Sequence, residues 1–484
     1  MQEATDSSRC AADPGSNGRA GSQTPTVHCV SSIWWIRRDL RLQDNPALGQ
    51  ACAEGSVLPV FVFDPVIWGA AGPVRRAYLV NSLRSLNEAM GGHLIVRSGN
   101  PVDVIPDVAA HVSAQTVHIG ADFGPYGSAR DLRVETALTN QARSLIRTGS
   151  PYAVAPGRVT KSDGTPYRVS TPFFRAWSEH GWRSPAADVT PDWLAAPSLI
   201  SEPLPEVSEA VHLPEVGEAA AHRRWHEFAQ TALASYDEGR NRPDLAGTSM
   251  LSAHLRWGEI HPRTLLADLN DSPAHVVFRK EIAWREFYAD VLHHAPATAR
   301  TWLNPKFEHM EYESGPQADE QFDAWTQGRT GYPFVDAGMR QLLNEGWMHN
   351  RVRMVTASFL VKDLHLPWQR GAAWFMKMLR DGDIASNQHG WQWVAGSGTD
   401  ASPYFRIFNP VTQGLRFDPD GDYVRRYVPE LGALPGKSAH EPWDHPGLAV
   451  DYPGRIVDHA QERDESLRRY SAIGEDKAPL PKSD

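Results

Sequence analysis

The hydrophobic pattern of this 484-residue chain changes once along its length, and this change restricts the possible folds more than any other feature. Up to about residue 150, apolar runs such as SSIWWIRRDL, VLPVFVF, HLIVR and TVHIGAD alternate with stretches that can form helices. Strands that alternate with helices predict a parallel sheet with helices on its faces. We therefore predict an α/β domain over residues 31–150.

Helical periodicity dominates from Glu215 onward. Apolar residues recur at i, i+3 and i+4 in RRWHEFAQTALASY, EIAWREFYADVL, VDAGMRQLLNEGWMHNRVRMVTASFLVKDL and GAAWFMKMLRDGD. These segments predict a larger all-α domain over residues 215–484. The Pro-rich residues 151–214 predict a linker, in which TPYRVSTPFFRAW forms a surface loop and a short helix. Residues 1–30, rich in Gly, Ser, Ala and Asp, predict a flexible extension.

Composition excludes several classes of protein. A formal net charge of −10 and a hydrophobic content of 41% exclude a mainly disordered chain. No apolar run approaches the roughly 20 residues of a membrane span, and the first residues lack the apolar core of a secretory signal. The cysteines Cys10, Cys29 and Cys52 are odd in number and lack metal-ligand spacing, so we expect a reducing cytoplasm and no metal site.

The turn after the first strand argues against a conventional dinucleotide enzyme. Its sequence, RRDLRLQDNPAL, lacks the glycines of G-x-G-x-x-G that let a backbone approach a pyrophosphate. The helical half offers another anion site, because Gly247–Ser252 places backbone N–H groups and three hydroxyls just before a helix. An ordinary helix cap is the alternative interpretation of that segment.

Two further patterns indicate a binding cavity. Glu281, Trp284, Arg285 and Tyr288 lie at i, i+3, i+4 and i+7 and therefore share one helical face. A carboxylate beside a Trp is unusual for a core stripe, because burying an unpartnered charge is costly. The face is predicted to line a cavity, and a surface Glu281–Arg285 ion pair is the alternative.

The segments GWMHNRVRM and DGDIASNQHGWQW carry the remaining polar candidates. Asn350 and Met354 share a helical face, and an Asn within a helix usually needs a partner. Asp381, Asp383 and Asn387 fall within seven residues. The two carboxylates could bind a metal ion, or they could accept hydrogen bonds from a ribose, an imide N–H or an Arg.

Together these segments resemble the photolyase/cryptochrome flavoprotein family, over residues 32 to about 460. The resemblance rests on RRDLRLQDNPAL, GTSMLSAHLRWGEIHPR, WREFY, TGYPFVDAGMRQL, GWMHNRVRM, DGDIASNQHGWQW and PYFRIFNPVTQG. Within the family, the motifs are most similar to those of class I cyclobutane pyrimidine dimer photolyases. The resemblance implies a Rossmann-like α/β antenna domain and a larger all-α domain that binds FAD.

The resemblance also implies which residues contact FAD. They are Tyr236, Thr248, Ser249, Met250, Leu251, Ser252, Phe278, Arg353, Asp381, Gly382, Asp383 and Asn387. Arg353 would pair with Asp381, which would explain how that carboxylate can be buried. Asn387 would lie beside flavin N5, where many cryptochromes have an Asp or a Cys.

The implied activity is light-driven DNA repair. Light-excited reduced FAD (FADH⁻) would pass an electron to a flipped cyclobutane pyrimidine dimer, whose two bonds would then open. The implied catalytic residues are Glu281, Trp284, Asn350, Met354 and Trp393. The implied DNA contacts are Arg240, Glu281, Trp284, Tyr288, Asn350, Arg351, Arg406 and Gln413. We expect a monomer that acts on single- or double-stranded UV-damaged DNA.

Two accessory functions follow from the same resemblance. Trp391 and Trp368 match a tryptophan chain that reduces the flavin in light, and Tyr312 is the nearest aromatic residue for its distal end. Folate-binding relatives carry a Glu where this chain has Gly124, so the resemblance favours an 8-hydroxy-5-deazaflavin antenna held by Asp122 and Arg256. The absence of an antenna, or a different chromophore, is the alternative.

Three alternatives remain open from the sequence. The first is a cryptochrome-type blue-light photoreceptor, which would signal rather than repair. The second is a (6-4) photoproduct photolyase, whose animal and plant members use two active-site histidines; His349 would be the candidate here. The third is a redox or binding flavoprotein without light-dependent repair.

Overall fold

In the computed structural model, the described residues are 31–196, 198–208, 211–400 and 405–475. The flexible extension predicted for residues 1–30 lies outside them. Within the described part of the chain, no helix is both long and apolar enough to cross a membrane.

A five-stranded parallel sheet forms the first part of the fold. Its strands are β1 (Ser31–Ile36), β2 (Ser56–Phe63), β3 (Ile95–Ser98), β4 (Thr116–Ile119) and β5 (Ser144–Arg147), in the order β3-β2-β1-β4-β5. Every residue of β1 and β2 is buried, as expected for central strands covered on both faces. The predicted α/β class is confirmed. The sequence pattern did not single out β5, an edge strand of four residues of which only Leu145 is buried.

Five helices accompany these strands: α1 (Pro46–Glu54), α2 (Pro65–Ala70), α3 (Pro73–Ala89), α4 (Pro101–His111) and α5 (Pro125–Thr139). Each begins with a Pro, whose fixed φ suits the first helical turn and whose missing N–H is not needed there. Asn45, Asp64 and Asn100 cap three of the helices through their side-chain oxygens.

The strand order reverses between β1 and β4, and a crevice opens at that point. Parallel sheets bind ligands where the order reverses, beyond the carboxyl ends of the strands. The residues that line the crevice include Arg37, Arg38 and Asp39 after β1, Gly120, Ala121 and Asp122 after β4, and Thr148 after β5.

The predicted linker packs against both parts of the molecule. It contains α6 (Ser170–His180), whose Trp177 is fully buried. Farther along, Val57 of β2 donates its N–H to Asp192 and accepts a hydrogen bond from Leu194. This segment therefore covers an edge of the core rather than looping through solvent, while its boundaries at residues 151 and 214 remain predictions.

From residue 215 onward, the described residues form helices and turns. The α-helices are α7 (Glu218–Thr231), α8 (Tyr236–Gly239), α9 (Ser252–Trp257), α10 (Pro262–Ala267), α11 (Pro273–His294), α12 (Pro316–Thr326), α13 (Pro333–Glu345), α14 (Asn350–Ser358), α15 (Trp368–Met378), α16 (Ile384–Ala395), α17 (Pro410–Phe417), α18 (Asp422–Tyr427) and α19 (His459–Glu475). A π-helical turn, Phe359–Asp363, follows α14. The predicted all-α class of this half is confirmed.

One long periodic segment, residues 335–364, is two helices rather than one. Gly346 ends α13 in a left-handed conformation with φ 61°, which glycine adopts without steric cost. His349 then caps α14, because its Nδ1 accepts a hydrogen bond from the N–H of Arg351. The break places Asn350 at the first turn of α14 instead of inside a helix.

The two parts of the molecule meet through closely packed backbone. A Cβ at Gly72, just before α3, would lie 1.8 Å from the carbonyl oxygen of Lys377 in α15. A Cβ at Gly258 would lie 1.9 Å from the carbonyl oxygen of Arg38. Only glycine allows such an approach. The sheet domain and the helical domain are therefore held at a fixed separation at two points.

Candidate flavin and substrate site

The segment Gly247–Ser252 lies against the short helix α8. A Cβ at Gly247 would be 2.5 Å from the carbonyl oxygen of Gly239, so this contact brings Tyr236 and residues 248–252 together. Met250 has a φ of 56°, and no side chain caps α9. The segment is thus not an ordinary helix cap. The Ser252 hydroxyl accepts a hydrogen bond from the Trp347 indole at 3.2 Å.

The second part of the site is the loop before α16. Arg353 Nη2 donates to Asp381 Oδ2 at 2.8 Å, so the predicted ion pair is present. The other carboxylate oxygen of Asp381 is buried and has no hydrogen-bond partner in the part of the chain that the structure describes. A buried acceptor without a partner is costly. A ligand that donates hydrogen bonds at this position would satisfy it.

Asp383 ties this loop to the sheet domain. One of its oxygens accepts the N–H of Ser386 and caps α16, and the other pairs with Arg38 Nη2 at 2.6 Å. Burial alone would raise the pKa of Asp383, but Arg38 and, more weakly, Arg256 and Arg285 hold it well below its usual range. Each carboxylate of this loop therefore faces an arginine, which favours the hydrogen-bonding interpretation over the metal-binding one.

Two more predicted flavin residues have defined surroundings. Asn387 lies in the first turn of α16 and donates to the carbonyl oxygen of Ala372 at 3.1 Å. Phe278 of α11 is 5% exposed, and its ring contacts those of Trp225, Phe228 and Tyr236 with centroids 5.1–5.5 Å apart. Phe278 thus holds the aromatic cluster beneath Tyr236.

The predicted catalytic face of α11 is present and half-buried. The Trp284 and Tyr288 rings are 5.3 Å apart, and Tyr288 reaches His389 of α16 at 5.9 Å. Glu281 pairs with Arg240 rather than with Arg285, at 2.7 Å between Oε1 and Nη1. Arg285 instead donates to the carbonyl oxygens of Pro151 and Leu255. The alternative prediction of a surface Glu281–Arg285 ion pair is therefore wrong. Glu281 instead contacts Arg240, one of the predicted DNA contacts.

Helix α14 supplies the opposite side. Asn350 is exposed, Met354 is half-buried, and the Arg351 guanidinium donates to Met354 Sδ at 3.6 Å and to Asn241 Oδ1 at 2.6 Å. On α16, Trp393 is half-buried and lies under the guanidinium of Arg406, 5.3 Å from its ring centroid. Gln413 lies farther along, half-buried in the first turn of α17.

The aromatic residues of the predicted electron route form two groups. Trp391 is 3% exposed. A Cβ at Gly371 of α15 would lie 2.1 Å from its indole ring, so the ring rests on the backbone of that helix. Gly371 is one turn after Trp368. The Trp391 ring also contacts Trp325 edge-to-face at 6.1 Å. Tyr312 stacks on Trp302 at 6.1 Å and accepts the indole N–H of Trp302 at 3.3 Å.

Comparisons with known proteins address the assembly as a whole. The chain matches the family described as "DNA photolyase" over residues 32–192 and the "FAD binding domain of DNA photolyase" over residues 278–472. A deoxyribodipyrimidine photo-lyase of Agrobacterium fabrum is 39% identical over 91% of this chain and 98% of its own length. The chain belongs to the DNA photolyase family.

Solved structures of photolyases share the whole architecture. A bacterial class III photolyase from Agrobacterium tumefaciens superposes with a TM-score of 0.84 at 38% identity, over 94% of this chain and 100% of that one. A photolyase from Sulfolobus tokodaii, solved with two FAD molecules, gives 0.79 at 26% identity, over 91% and 100%. The assignment of this chain to class I within the family remains a prediction.

The site fits the FAD that photolyases of this family bind. Asp381 Oδ1 and the indole nitrogen of Trp391 are buried polar atoms without partners in the described chain. Thr248, Ser249 and Ser252 supply hydroxyls on the neighbouring segment. A nucleotide cofactor rich in hydroxyls and acceptors matches this set. The match to the FAD-binding domain supports FAD as the cofactor, and its contacts with these particular residues remain a prediction.

His349 has a structural position. It is 3% exposed, its Nδ1 caps α14, and burial lowers its pKa to about 4. It is therefore neutral at physiological pH, and one ring nitrogen is committed to the backbone.

Arg38, Trp302 and Trp325 each contact a predicted site residue although the sequence analysis did not name them as candidates. Arg38 stands in the motif RRDLRLQDNPAL and Trp325 in AWTQGRTGYP, so both lie in recognisable segments. Trp302 carries no sequence signal of its own, because its role depends on stacking against Tyr312.

Replacing Arg38 with Met should destabilise the protein by about 3 kcal/mol, because Asp383 would then be buried without its main partner. Urea unfolding at neutral pH measures this loss. The loss should shrink as the pH falls below about 4, the pKa of an Asp in an unfolded chain, because the stabilisation exists only while Asp383 is ionised. Arg223→Met, which breaks an exposed pair with Glu215, should cost under about 1 kcal/mol. Equal losses in both variants would contradict the assigned role of Arg38.

Proposed function

We propose that the protein is a deoxyribodipyrimidine photo-lyase, which uses light to split cyclobutane pyrimidine dimers in UV-damaged DNA. One observation carries this proposal: a carboxylate and half-buried aromatic rings lie next to several arginines. Glu281 and Trp284 on α11 and Trp393 on α16 are half-buried. Arg240 pairs with Glu281, and Arg351 lies near the same carboxylate. Stacking surfaces framed by cations are what a reader of flipped bases requires.

The chain's own residues bind and orient the lesion. A damaged, poorly stacked pair costs least to flip out of a duplex, which favours its capture. Trp284 and Trp393 stack on the flipped bases, and Met354 fills the space beside them. Glu281 and Asn350 hydrogen-bond the base edges and stabilise the negative charge that develops there during cleavage. Arg240, Arg351 and Arg406 contact phosphates, with Tyr288 and Gln413 beside them, so affinity falls with salt.

FAD is held by the segments described above, and Asn387 lies on the helix that follows the Asp381 loop. Bound in its reduced form and excited by light, FAD would supply the reversible one-electron chemistry that opens the two bonds of the dimer. No protein nucleophile is needed. The residues of the site therefore act by positioning, by excluding water and by electrostatic stabilisation.

The alternatives have less support. Asn387 is the photolyase-type residue at its position, which disfavours a cryptochrome photoreceptor. The buried, neutral His349 disfavours a (6-4) photolyase. A flavoprotein without repair activity has no use for the aromatic and arginine-lined face. A monomer located in the cytoplasm remains a prediction.

Blue light should repair a thymine-dimer oligonucleotide in the presence of the chemically reduced protein, and no repair should occur in the dark. Trp393→Ala should weaken dimer binding about ten- to a hundredfold, because base stacking contributes about 1–3 kcal/mol per base. Gel-shift titration in the dark measures the binding. Trp182→Ala removes a half-buried Trp of the connecting segment and should leave binding unchanged. Intact dimers after illumination of the wild type would refute the proposal.

We also propose that Trp391, Trp368 and Tyr312 carry electrons from the protein surface toward the flavin site. Trp391→Phe should abolish light-driven bleaching of the bound oxidised flavin, followed by its absorbance, because phenylalanine is far harder to oxidise than tryptophan. The same variant should still repair dimers after chemical reduction. Phe375→Leu, beside the same indole, is the matched control and should bleach normally. Normal bleaching in Trp391→Phe would show that the route is wrong.

The crevice at the end of β1 and β4 is proposed to bind an 8-hydroxy-5-deazaflavin antenna. Asp122 lines the crevice. Arg256 donates to the carbonyl oxygen of Gly382, and its buried Nη1 has no hydrogen-bond partner among the described residues. Arg130 contacts Asp122 at 3.5 Å, and a Cβ at Gly127 would lie 2.0 Å from the same carboxylate. The site thus depends on a small residue at position 127.

Reconstitution with 8-hydroxy-5-deazaflavin should add its absorption band to the purified protein. Gly127→Ala should displace the Asp122 carboxylate and weaken this binding at least about tenfold, a loss of roughly 1.4 kcal/mol. Gly474→Ala in α19 adds a methyl group where no atom of the described residues lies within 4 Å, away from the crevice, and serves as the control. Binding of FAD in preference to the deazaflavin would overturn this assignment.

A further inference from the structure

Arg240 and Glu281 form an ion pair at the edge of the substrate face. Arg240 follows the last residue of α8, and Glu281 projects from α11, with 2.7 Å between Nη1 and Oε1. The two side chains are 25% and 29% exposed, so both can be reached from solvent. A part-exposed pair of this kind is weak, and a DNA phosphate can compete for the arginine.

The charged groups around Glu281 are few. Burial raises its pKa, whereas Arg240 and, farther away, Arg351 of α14 lower it. Tyr236 of α8 and Tyr288 of α11 also face it, and the pKa of both phenols is raised, so they stay neutral. Helices α6 and α16 also pack against α11, and the charged groups that act most strongly on this carboxylate are Arg240 and Arg351. Burial thus has the largest effect on the pKa of Glu281, and Arg240, at 2.7 Å, is the main group that opposes it.

The base edge of a pyrimidine imposes a second constraint. It presents carbonyl oxygens, which need donors, beside an imide N–H, which needs an acceptor. An ionised carboxylate can only accept hydrogen bonds, whereas a carboxylic acid can donate one and accept others. Only the protonated form of Glu281 matches both groups of the base.

We propose that Arg240 exchanges Glu281 for a DNA phosphate when the lesion binds, and that Glu281 then takes up one proton from solvent and donates it in a hydrogen bond to a pyrimidine carbonyl. Arg240 is thus a positioning residue that controls the protonation of Glu281. No electron moves in this step, and the complex gains one proton. The inference rests on the proposed repair function and adds a pH-dependent element to its recognition of the lesion.

The exchange has a thermodynamic signature. When Arg240 moves to a phosphate, Glu281 loses its counter-ion, and when the base binds, it displaces water from Glu281. Both changes favour the protonated form of Glu281. Between the pKa of Glu281 in the free protein and its higher pKa in the complex, binding takes up a proton. Affinity for the dimer should therefore fall by up to about tenfold for each unit of pH increase in that range.

Titration calorimetry in the dark can count this proton. The flavin-loaded full chain is titrated with a thymine-dimer oligonucleotide in buffers of different ionisation enthalpy, and the slope of the observed enthalpy gives the number of protons taken up. The wild type should take up as much as one proton. Glu281→Gln, whose amide donates without ionising, should take up none, and its affinity should not vary with pH.

Variants of the arginine separate positioning from structure. In Arg240→Gln, Glu281 has lost its main counter-ion before binding, so proton uptake should decrease toward zero and the salt dependence should fall by about one phosphate contact. Arg240→Lys keeps the charge and should restore uptake. Arg223→Gln, in the exposed pair with Glu215, should change neither quantity.

Two results would overturn the inference. One is a wild type that binds and repairs dimers without proton uptake at any pH at which Glu281 can titrate. The other is uptake that persists in Glu281→Gln. A wild type that neither binds nor repairs dimers would instead refute the proposed function, so the two failures can be told apart.

Discussion

The buried carboxylate of Asp383 is the group on which the flavin loop and the two domains depend together. It caps α16, the helix that carries Asn387, Trp391 and Trp393, and it is neutralised by Arg38, 345 residues earlier in the chain. An unpaired charge in this position would be expensive. The sheet domain therefore supplies the counter-ion that Asp383 of the helical domain needs. The predicted substrate residues themselves lie in the helical domain.

Local charge at the substrate face differs from the charge of the whole chain. The protein carries a net charge of −10, yet Arg240, Arg406 and Arg416 all act to lower the pKa of Arg351 after burial has done so. Such mutual repulsion is tolerated only where an anion can relieve it. Glu281 acts in the opposite direction on Arg351, and a phosphate bound at the proposed DNA contacts would relieve the remaining repulsion.

Local patterns in the sequence were sufficient for the fold class and for much of the flavin loop. The repeat of apolar residues that marks a strand or a helix spans only a few consecutive residues. The sequence was therefore enough to predict β1 to β4 and α11. The Arg353–Asp381 pair followed from the resemblance. In contrast, the partner of Asp383 could not be found, because Arg38 meets it only after two domains have packed. The short edge strand β5 and the break at Gly346 were missed for a related reason, since both are decided by neighbours in space.

The partner of Glu281 illustrates the same limit within one site. Helical spacing placed Arg285 beside it, but the packing of α8 against α11 supplies Arg240, and backbone carbonyls of Pro151 and Leu255 engage Arg285. A spacing rule identifies which residues share a face, but it does not decide among competing acceptors. Tertiary contacts make that choice.

The glycine contacts at Gly72 and Gly258 have a consequence for light harvesting. Excitation transfer between two chromophores depends steeply on how far apart they are and how they are oriented. At Gly72 and Gly258 the backbones of the two domains are in direct contact. The distance between the domains at these points therefore depends on backbone atoms and not on the side chains of other residues. For the antenna proposed to bind in the crevice, these contacts would keep its distance from the flavin site constant.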